Sequence, residues 1–374
     1  MQRQATDGTP LVLLAAGGTG GHLFPAEALA AALARRGVVV DLATDERAER
    51  YGTAFPARQV HVIASATVRG RDPISLARTA ALLGVGTMQA WRLIARIQPS
   101  VVVGFGGYPT VPPVLAATLR RIPTVIHEQN AVMGRANRLL ASRVTAIATG
   151  LPGLLADSPK LAGKATHTGN PVRPAVVAAA ATPYAAPQPS GPLRLLVFGG
   201  SQGARIMADI VPAAVERLEP HLQLRLAVVQ QAREEDIARV GAAYARARVA
   251  AEVAPFFTDL PARIAASHLV VARAGASTVA ELAAIGRPAV LVPLPHALDQ
   301  DQSANAGVLE KAGGAMRLPQ DDFTADRLAA EISALASAPQ KLVAMAAAAR
   351  AQGAVDAAER LAELVVNTMR GSLR

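Results

Sequence analysis

Two segments, about half a chain apart, each run from an apolar strand into a glycine loop and then into an alanine-rich helical pattern. The first is Leu11–Ala16 followed by Gly17-Gly-Thr-Gly-Gly21-His22. The second is Leu193–Phe198 followed by Gly199-Gly-Ser-Gln-Gly203-Ala204. A short apolar run feeding a helix through glycines is the pattern of a buried parallel strand. The bare amides at such a helix start, with the helix dipole behind them, attract an anion such as phosphate. Two of these units in 374 residues predict two Rossmann-like domains.

The rest of the chain keeps the same rhythm. Strand-like runs fall at 11–16, 38–43, 60–64, 101–105, 123–127 and 144–148, then at 194–198, 224–229, 250–254, 268–272 and 289–292. Helical patterns such as 25–36 and 76–97 lie between them, so the fold class is α/β with doubly wound parallel sheets. Residues 174–192 hold five prolines and no charge. They read as a linker between a first domain, 1–173, and a second, 193–349. The last helical stretch, about 340–367, can cross back onto the first domain with a helix near 350–374.

Charge is unevenly placed. The net charge is +10, and residues 1–173 carry all of it, with 19 Lys/Arg against 9 Asp/Glu. Such a half meets anions: nucleic acid, anionic lipid or a phosphorylated substrate. Aromatic residues make up only 3% of the chain, which leaves few stacking platforms for nucleic acid and favours lipid or phosphate. The absence of cysteine excludes disulfides and thiolate metal sites. The apolar run at 10–16 leads straight into a glycine loop, so no signal peptide is expected. Val101–Leu119 contains three glycines and three prolines and is not a spanning helix.

Several motifs carry candidate chemistry. Gly17–Gly21 is not a dinucleotide fingerprint, because Leu23 stands where the third glycine belongs. It is not a Walker A loop, because no Gly-Lys-Ser/Thr follows. His22 leads that loop into its helix, where an imidazole can serve as general base near neutral pH or simply shape the turn. Gly104-Phe-Gly-Gly-Tyr108 and His127-Glu-Gln-Asn130 end two further strands. Ser277 and Glu281 share a helical face, where a carboxylate can accept from ribose hydroxyls. Asp299-Gln-Asp301 has a spacing that can hold Mg²⁺, yet the amides and carboxylates of His296–Asn305 suit sugar hydroxyls better.

Taken in order, Gly-Gly-Thr-Gly-Gly-His (17–22), Gly-Gly-Tyr (106–108), His-Glu-Gln-Asn (127–130) and Gly-Asn-Pro-Val-Arg (169–173) form the first part of a set. Gly-Gly-Ser-Gln-Gly-Ala-Arg (199–205), Ala-Ser-Thr-Val-Ala-Glu (276–281) and Asp-x-x-Gln-x-x-Asn (299–305) complete it. Over roughly residues 10–365 the chain resembles the MurG family, peptidoglycan N-acetylglucosaminyltransferases of glycosyltransferase family 28. The resemblance implies a GT-B fold, two Rossmann-like domains facing a central cleft. It implies an inverting transfer from UDP-GlcNAc to the C4 hydroxyl of MurNAc in undecaprenyl-pyrophosphoryl-MurNAc-pentapeptide, lipid I. The alternatives are another GT-B transferase using a nucleotide sugar, or a non-catalytic nucleotide-sugar-binding protein at a membrane.

Residue by residue, the resemblance makes His22 the candidate base, with Glu128 as its rival. Tyr108, His127 and Asn137 line the acceptor side. Thr19, Gly20, Gly21, Asn130, Arg173, Ser201, Gln202 and Gly203 face the donor, the last three holding the leaving diphosphate without a metal or other cofactor. Phe257 reads uracil through its backbone. Ala276, Ser277, Thr278, Glu281, Gln302 and Asn305 complete the donor set. Pro109-Thr110-Val111 departs from the small pair that many relatives carry after Gly-Gly-Tyr, and 296–305 is one residue longer than in some. The implied place is the cytoplasmic face of the bacterial inner membrane, with an anionic membrane surface and no nucleic acid as partner. Arg69, Arg71, Arg78 and Arg92 flank an apolar stretch that includes Leu82, Val85, Met88 and Trp91. That stretch is either an interfacial element or an ordinary buried helix.

Overall fold

The computed structural model describes residues 9–17, 20–46, 55–65, 72–200, 203–295 and 301–371. The chain divides into two compact units: Met1–Arg173 together with Asp356–Arg374, and Pro174–Val355.

The first unit is built on strands β1 (Leu11–Ala15), β2 (Val39–Thr44), β3 (Gln59–Val62), β4 (Val101–Gly104), β5 (Thr124–Glu128), β6 (Ala146–Thr149) and β7 (Ala165–His167). Their spatial order is β3-β2-β1-β4-β5-β6-β7 and every pairing is parallel. The central strands, Leu-Val-Leu-Leu-Ala in β1 and Val-Val-Val-Gly in β4, are buried along their whole length. Helices on both faces of the sheet demand such unbroken apolar runs. The crossovers include α1 (Gly20–Arg35), α2 (Pro73–Ile97), α3 (Val111–Leu119), α4 (Arg135–Leu140) and α5 (Pro159–Ala162). Strand order reverses between β1 and β4, and ligands of open α/β sheets bind at the carboxyl ends there. The loops that follow those two strands carry His22 and Gly106–Tyr108.

The second unit repeats the plan. Strands β8 (Leu193–Phe198), β9 (Leu226–Gln231), β10 (Ala250–Ala254), β11 (Leu269–Ala272), β12 (Ala289–Leu291) and β13 (Ala315–Arg317) lie in the order β10-β9-β8-β11-β12-β13, again parallel. Its helices are α6 (Pro174–Ala180), α7 (Arg205–Glu216), α8 (Pro220–Gln223), α9 (Glu234–Arg246), α10 (Leu260–Ala266), α11 (Ala276–Ile285), α12 (Asp301–Ala312), α13 (Ala325–Ala336) and α14 (Pro339–Ala351). One core joins Leu195 and Val197 of β8 to Val211, Val228, Val271, Val290 and Ile332. The reversal here lies between β8 and β11, beside the second glycine loop and Arg273–Ala276.

Two expectations need correction. Residues 174–192 are not a free linker. They open with α6, whose Val176 and Ala180 are buried. Two arginines then tie the segment down: Arg287 donates to the carbonyls of Thr182 and Pro183, and Arg350 to that of Ala180. The expected helix over 340–367 is two helices. Gly353 sits at the break because a Cβ there would meet the Ala283 carbonyl oxygen at 2.6 Å. The second of them, α15 (Ala357–Gly371), joins the first unit's core with Leu361, Ala362 and Val365 beside Leu29 and Leu33 of α1. Glu359 of α15 bridges Arg35 and Arg36 at the end of α1.

Helix α2 carries the apolar stretch at 82–91. Asp72 caps it, its carboxylate accepting from the Ser75 amide at 2.8 Å, and Pro73 fits its first turn. Ala90, Leu93 and Ile94 are buried, whereas Leu82, Val85, Met88 and Trp91 are exposed. Part of its apolar surface is therefore left in solvent. No single helix among the described residues is long and apolar enough to cross a membrane.

Candidate active site

In the first unit, three strand-end loops are stitched into one surface. Thr110 is buried and its hydroxyl bridges the carbonyls of Ala15, at the end of β1, and Gly106, after β4. Gln129, after β5, donates to the Phe105 carbonyl at 2.8 Å. His22 packs into the middle of this arrangement. Gly106 and Gly107 have φ of 82° and 73°, and a Cβ on Gly107 would stand 3.2 Å from His22 Nε2. The glycines are therefore doubly required: they take a backbone that side chains rarely adopt, and they leave room for the imidazole. Tyr108 follows directly and is half-buried.

Helix α1 begins at Gly20, so His22 stands in its first turn with the amides of Gly20 and Gly21. Phe24 lies under the guanidinium of Arg173, which is 3.9 Å from the ring centroid. The same cation lowers the carboxyl pKa of Glu27, but burial outweighs it and the net direction is up. Arg173 thus brings positive charge alongside the opening turns of α1, where the dipole already favours an anion.

His-Glu-Gln-Asn has a different role from the one its polarity suggests. Glu128 is buried, and its carboxylate accepts from the amides of Asn130 and Gly134 and from the side chains of Asn130 and Asn137. Burial raises its pKa while those four donors pull it down, and the net direction is up. A carboxylate so occupied organises the loop 130–134; it has no oxygen left free for a substrate hydroxyl. His127 and Asn137, read from sequence as acceptor ligands, are 0% and 1% exposed. They lie beneath the surface instead. His127 Nε2 donates to the Gly169 carbonyl at 3.0 Å, and Asn137 donates to the His127 carbonyl. Burial pushes the imidazole down to about 4, so it is neutral. Its Nδ1 and the Asn137 Oδ1 are buried without a partner among the described residues.

In the second unit the corresponding loop is clamped at a single residue. Gln302 Oε1 accepts from the amides of Ala274, at 3.3 Å, and Leu294, at 3.0 Å. Asn305, buried, donates to the Ala274 carbonyl. Three residues apart on α12, the two amides hold the two polar groups of Ala274 and fix the path into α11. Asn305 thus braces this loop from beneath. Asp301, in the first turn of α12, accepts from the Gln302 amide. Ala276, Ser277 and Thr278 open α11, and Glu281 is buried one turn further on. Ser277 Oγ is buried with no partner among the described residues. Phe257 is buried under the Arg263 guanidinium, 4.3 Å from its ring centroid. Gly203 has φ of 67° just ahead of α7.

From sequence, Arg273, Thr110 and Gln129 were given no role in the site. Arg273 is buried with no carboxylate partner among the described residues, and donates to the carbonyls of Val292 and Pro293 and to Gln320. Desolvation lowers its pKa. The signal for it was its position directly after β11, at the strand-order reversal. Thr19, Ser201, Gln202, His296, Asp299, Arg69 and Arg71 lie outside the described residues.

Comparison with known proteins agrees with this fold. Residues 12–149 match the glycosyltransferase family 28 N-terminal domain, and residues 194–361 match its C-terminal domain. A Rhodopseudomonas palustris (strain BisB18) protein is 65% identical over 357 residues, spanning 96% of this chain and 95% of its own. A Bradyrhizobium diazoefficiens protein is 63% identical, spanning 96% and 98%. Both are named UDP-N-acetylglucosamine–N-acetylmuramyl-(pentapeptide) pyrophosphoryl-undecaprenol N-acetylglucosamine transferase. The crystal structure of Acinetobacter baumannii MurG superposes with a TM-score of 0.76 at 30% identity, covering 96% of this chain and 99% of that one. UDP-GlcNAc 2-epimerase from Neisseria meningitidis shares the fold, with a TM-score of 0.66 at 14% identity over 97% of this chain and all of its own. With both domain models matched in order and near-full-length relatives at such identity, the chain belongs to glycosyltransferase family 28.

Proposed function

We propose that this enzyme moves GlcNAc from UDP-GlcNAc to the C4 hydroxyl of MurNAc in undecaprenyl-pyrophosphoryl-MurNAc-pentapeptide, converting lipid I to lipid II with inversion at the anomeric carbon. The observation that carries the reading is the 65% identity to a transferase of that name over nearly the whole of both chains. Features of the structure support the reading. In the second unit Glu281 accepts from the ribose hydroxyls. The loop that Gln302 and Asn305 hold in place presents Ser277 and Thr278 at the start of α11, and the side-chain –NH₂ of Gln302 serves a GlcNAc hydroxyl. In the same unit the amides ahead of α7 oppose the charge that develops on the departing diphosphate.

The acceptor hydroxyl is a weak nucleophile, and His22 is the group that takes its proton. It sits at the carboxyl end of β1 with its ring wedged against Gly106–Gly107, held by packing in one orientation. Glu128, His127 and Asn137 act through the loop they brace. The exposed face of α2, with Leu82, Val85, Met88 and Trp91, rests on the anionic cytoplasmic surface of the inner membrane, where the lipid-borne acceptor resides.

The decisive assay is UDP release from UDP-GlcNAc with and without a lipid I analogue. Release that depends on the analogue, with a disaccharide product, is the expected result. Equal release without it, or transfer to an unrelated acceptor in its place, overturns the assignment.

A further inference from the structure

Strand β9 ends in two glutamines with different partners. Gln230 faces the core: its side-chain –NH₂ donates to the Met207 carbonyl of α7, and its oxygen accepts from the Tyr244 hydroxyl of α9. Alternation along a strand turns the next side chain the other way. Gln231 is 7% exposed, and both of its polar ends are spent on other strands' loops. Its Oε1 accepts from the Gly199 amide at 3.1 Å. Its Nε2 donates to the Pro255 carbonyl at 3.1 Å.

Those two partners open the loops that follow the neighbouring strands. β9 lies between β8 and β10, and its pairing with β8 stops at Gln230 while that with β10 stops at Gln231. Beyond that point the loops on either side of β9 leave the sheet that kept their strands in register. The Gln231 side chain extends the sheet by one rung in both directions at once. A carboxamide suits the place, because one partner offers a proton and the other a lone pair.

Each loop is already closed upon itself. Gly203 donates to the Gly200 carbonyl at 3.0 Å, and a Cβ on Gly199 would stand 2.2 Å from the Ala204 nitrogen. On the other side, Arg263 covers Phe257 and is bonded to Glu252 and Asp259. These bonds shape each loop but set no distance from one to the other. Gln231 bonds to both.

We infer that Gln231 is a positioning residue that sets the spacing between the glycine loop, which takes the diphosphate, and the Pro255–Phe257 loop, which takes the uracil. A nucleotide that spans the two loops then meets them already in register. Two preset contacts bind more tightly than two that must first be brought into place, because ordering them costs binding energy. The inference rests on the reading of UDP-GlcNAc as the donor and adds a residue that acts on it only through the loops.

The test compares a ligand that spans both loops with ligands that meet one. Affinities of the full-length protein for UDP, uridine and pyrophosphate are measured by calorimetry, the two fragments by displacement of UDP. Gln231→Leu keeps the bulk of the side chain and forms neither bond. It is expected to bind UDP about tenfold more weakly, the scale of one or two neutral hydrogen bonds. Uridine and pyrophosphate should each weaken by less than about twofold. Gln231→Glu keeps the test open where the leucine variant does not fold. Ionised, its carboxylate turns a lone pair towards the Pro255 carbonyl; protonated, its O–H donates there as the amide did. Its UDP affinity relative to wild type is therefore expected to be low at pH 8 and to recover as pH falls towards 5. Gln230→Met, which loses bonds to the core alone, is expected to lower the melting temperature and leave the ratio of UDP to uridine affinity unchanged. Wild-type UDP binding by Gln231→Leu, a loss of either fragment as large as that of UDP, or the same ratio change in Gln230→Met overturns the inference. So does a Gln231→Glu variant whose relative affinity ignores pH. If the wild type binds no UDP, the donor reading fails and the inference with it. If wild type and Gln231 variants bind UDP alike, the spacing role fails and the donor reading stands.

Discussion

At the scale of single residues, the division of labour between His22 and Glu128 is the sharpest point. The imidazole is packed beside the glycine turn after β4, while the carboxylate is tied to four N–H donors. His22→Ala is expected to lower kcat by ~10²–10⁴, the usual contribution of a positioned base, with UDP-GlcNAc affinity nearly unchanged. Glu128→Gln instead turns an –NH₂ towards N–H donors and is expected to cost about 1–3 kcal/mol of stability. Its pH–rate profile should keep the wild-type shape. A profile that loses its limb in Glu128→Gln, with His22→Ala near normal, moves the base to Glu128. His127 makes a second residue-scale prediction. Its pKa is lowered from 6.5 to about 4, so the folded state binds fewer protons than the unfolded one in that window. Its stabilising contribution is complete above pH 6.5 and is lost as pH falls towards 4, by up to about 3 kcal/mol. His268, lowered to about 4 by burial and by Arg194, acts in the same direction in the other unit. Thermal midpoints measured from pH 7 to 4 should fall, and His127→Gln should flatten part of that slope.

Elements show what the sequence disclosed and what it withheld. The inner strands were legible because parallel strands covered on both faces must be apolar throughout, as Leu11–Ala15 and Val101–Gly104 are. Strands β7 and β13 were not foreseen. Each has three residues and lies at a sheet edge, too short for a period to show. The candidate site was half legible. Motif order located the loops after β1, β4, β5 and β11, yet polarity alone does not separate a side chain that touches ligand from one that holds the loop. Asn305, Asn137 and His127 are of the second kind, and only burial reveals it. The α12 clamp turns this into a test. Gln302→Ala is expected to weaken UDP-GlcNAc binding with little change in melting temperature. Asn305→Ala, which orphans a buried carbonyl, should cost about 1–3 kcal/mol of stability. Equal behaviour of the two variants in both measurements contradicts the distinction. On α2, Val85→Glu/Met88→Glu is expected to release the protein from anionic vesicles without lowering its melting temperature, since both side chains are about half exposed. Unaltered vesicle binding removes α2 from the contact.

For the whole molecule, the first unit depends on a helix that the chain adds last. Leu361, Ala362 and Val365 are fully buried in its core, and Glu359, its pKa lowered by hydrogen bonds from Arg35 and Arg36, fastens α15 to α1. Ending the chain after Val355 bares that side of α1. The truncated protein is expected to lose the first unit's thermal transition while still binding UDP through the second. A first-unit transition that survives in calorimetry shows that α15 is dispensable.

The same path through the two units sets an order of events on the ribosome. Residues 174–355 contain every strand of the second sheet, so that unit holds all it needs as soon as it clears the exit tunnel. The unit translated first is still missing a wall. It must keep the α1 stripe around Leu29 and Leu33 exposed while almost two hundred further residues are made, and α15 then covers it. The amino-terminal half of this protein is thus the later one to finish folding, and the nascent enzyme is most open to aggregation, and most in need of a chaperone, until α15 has been made.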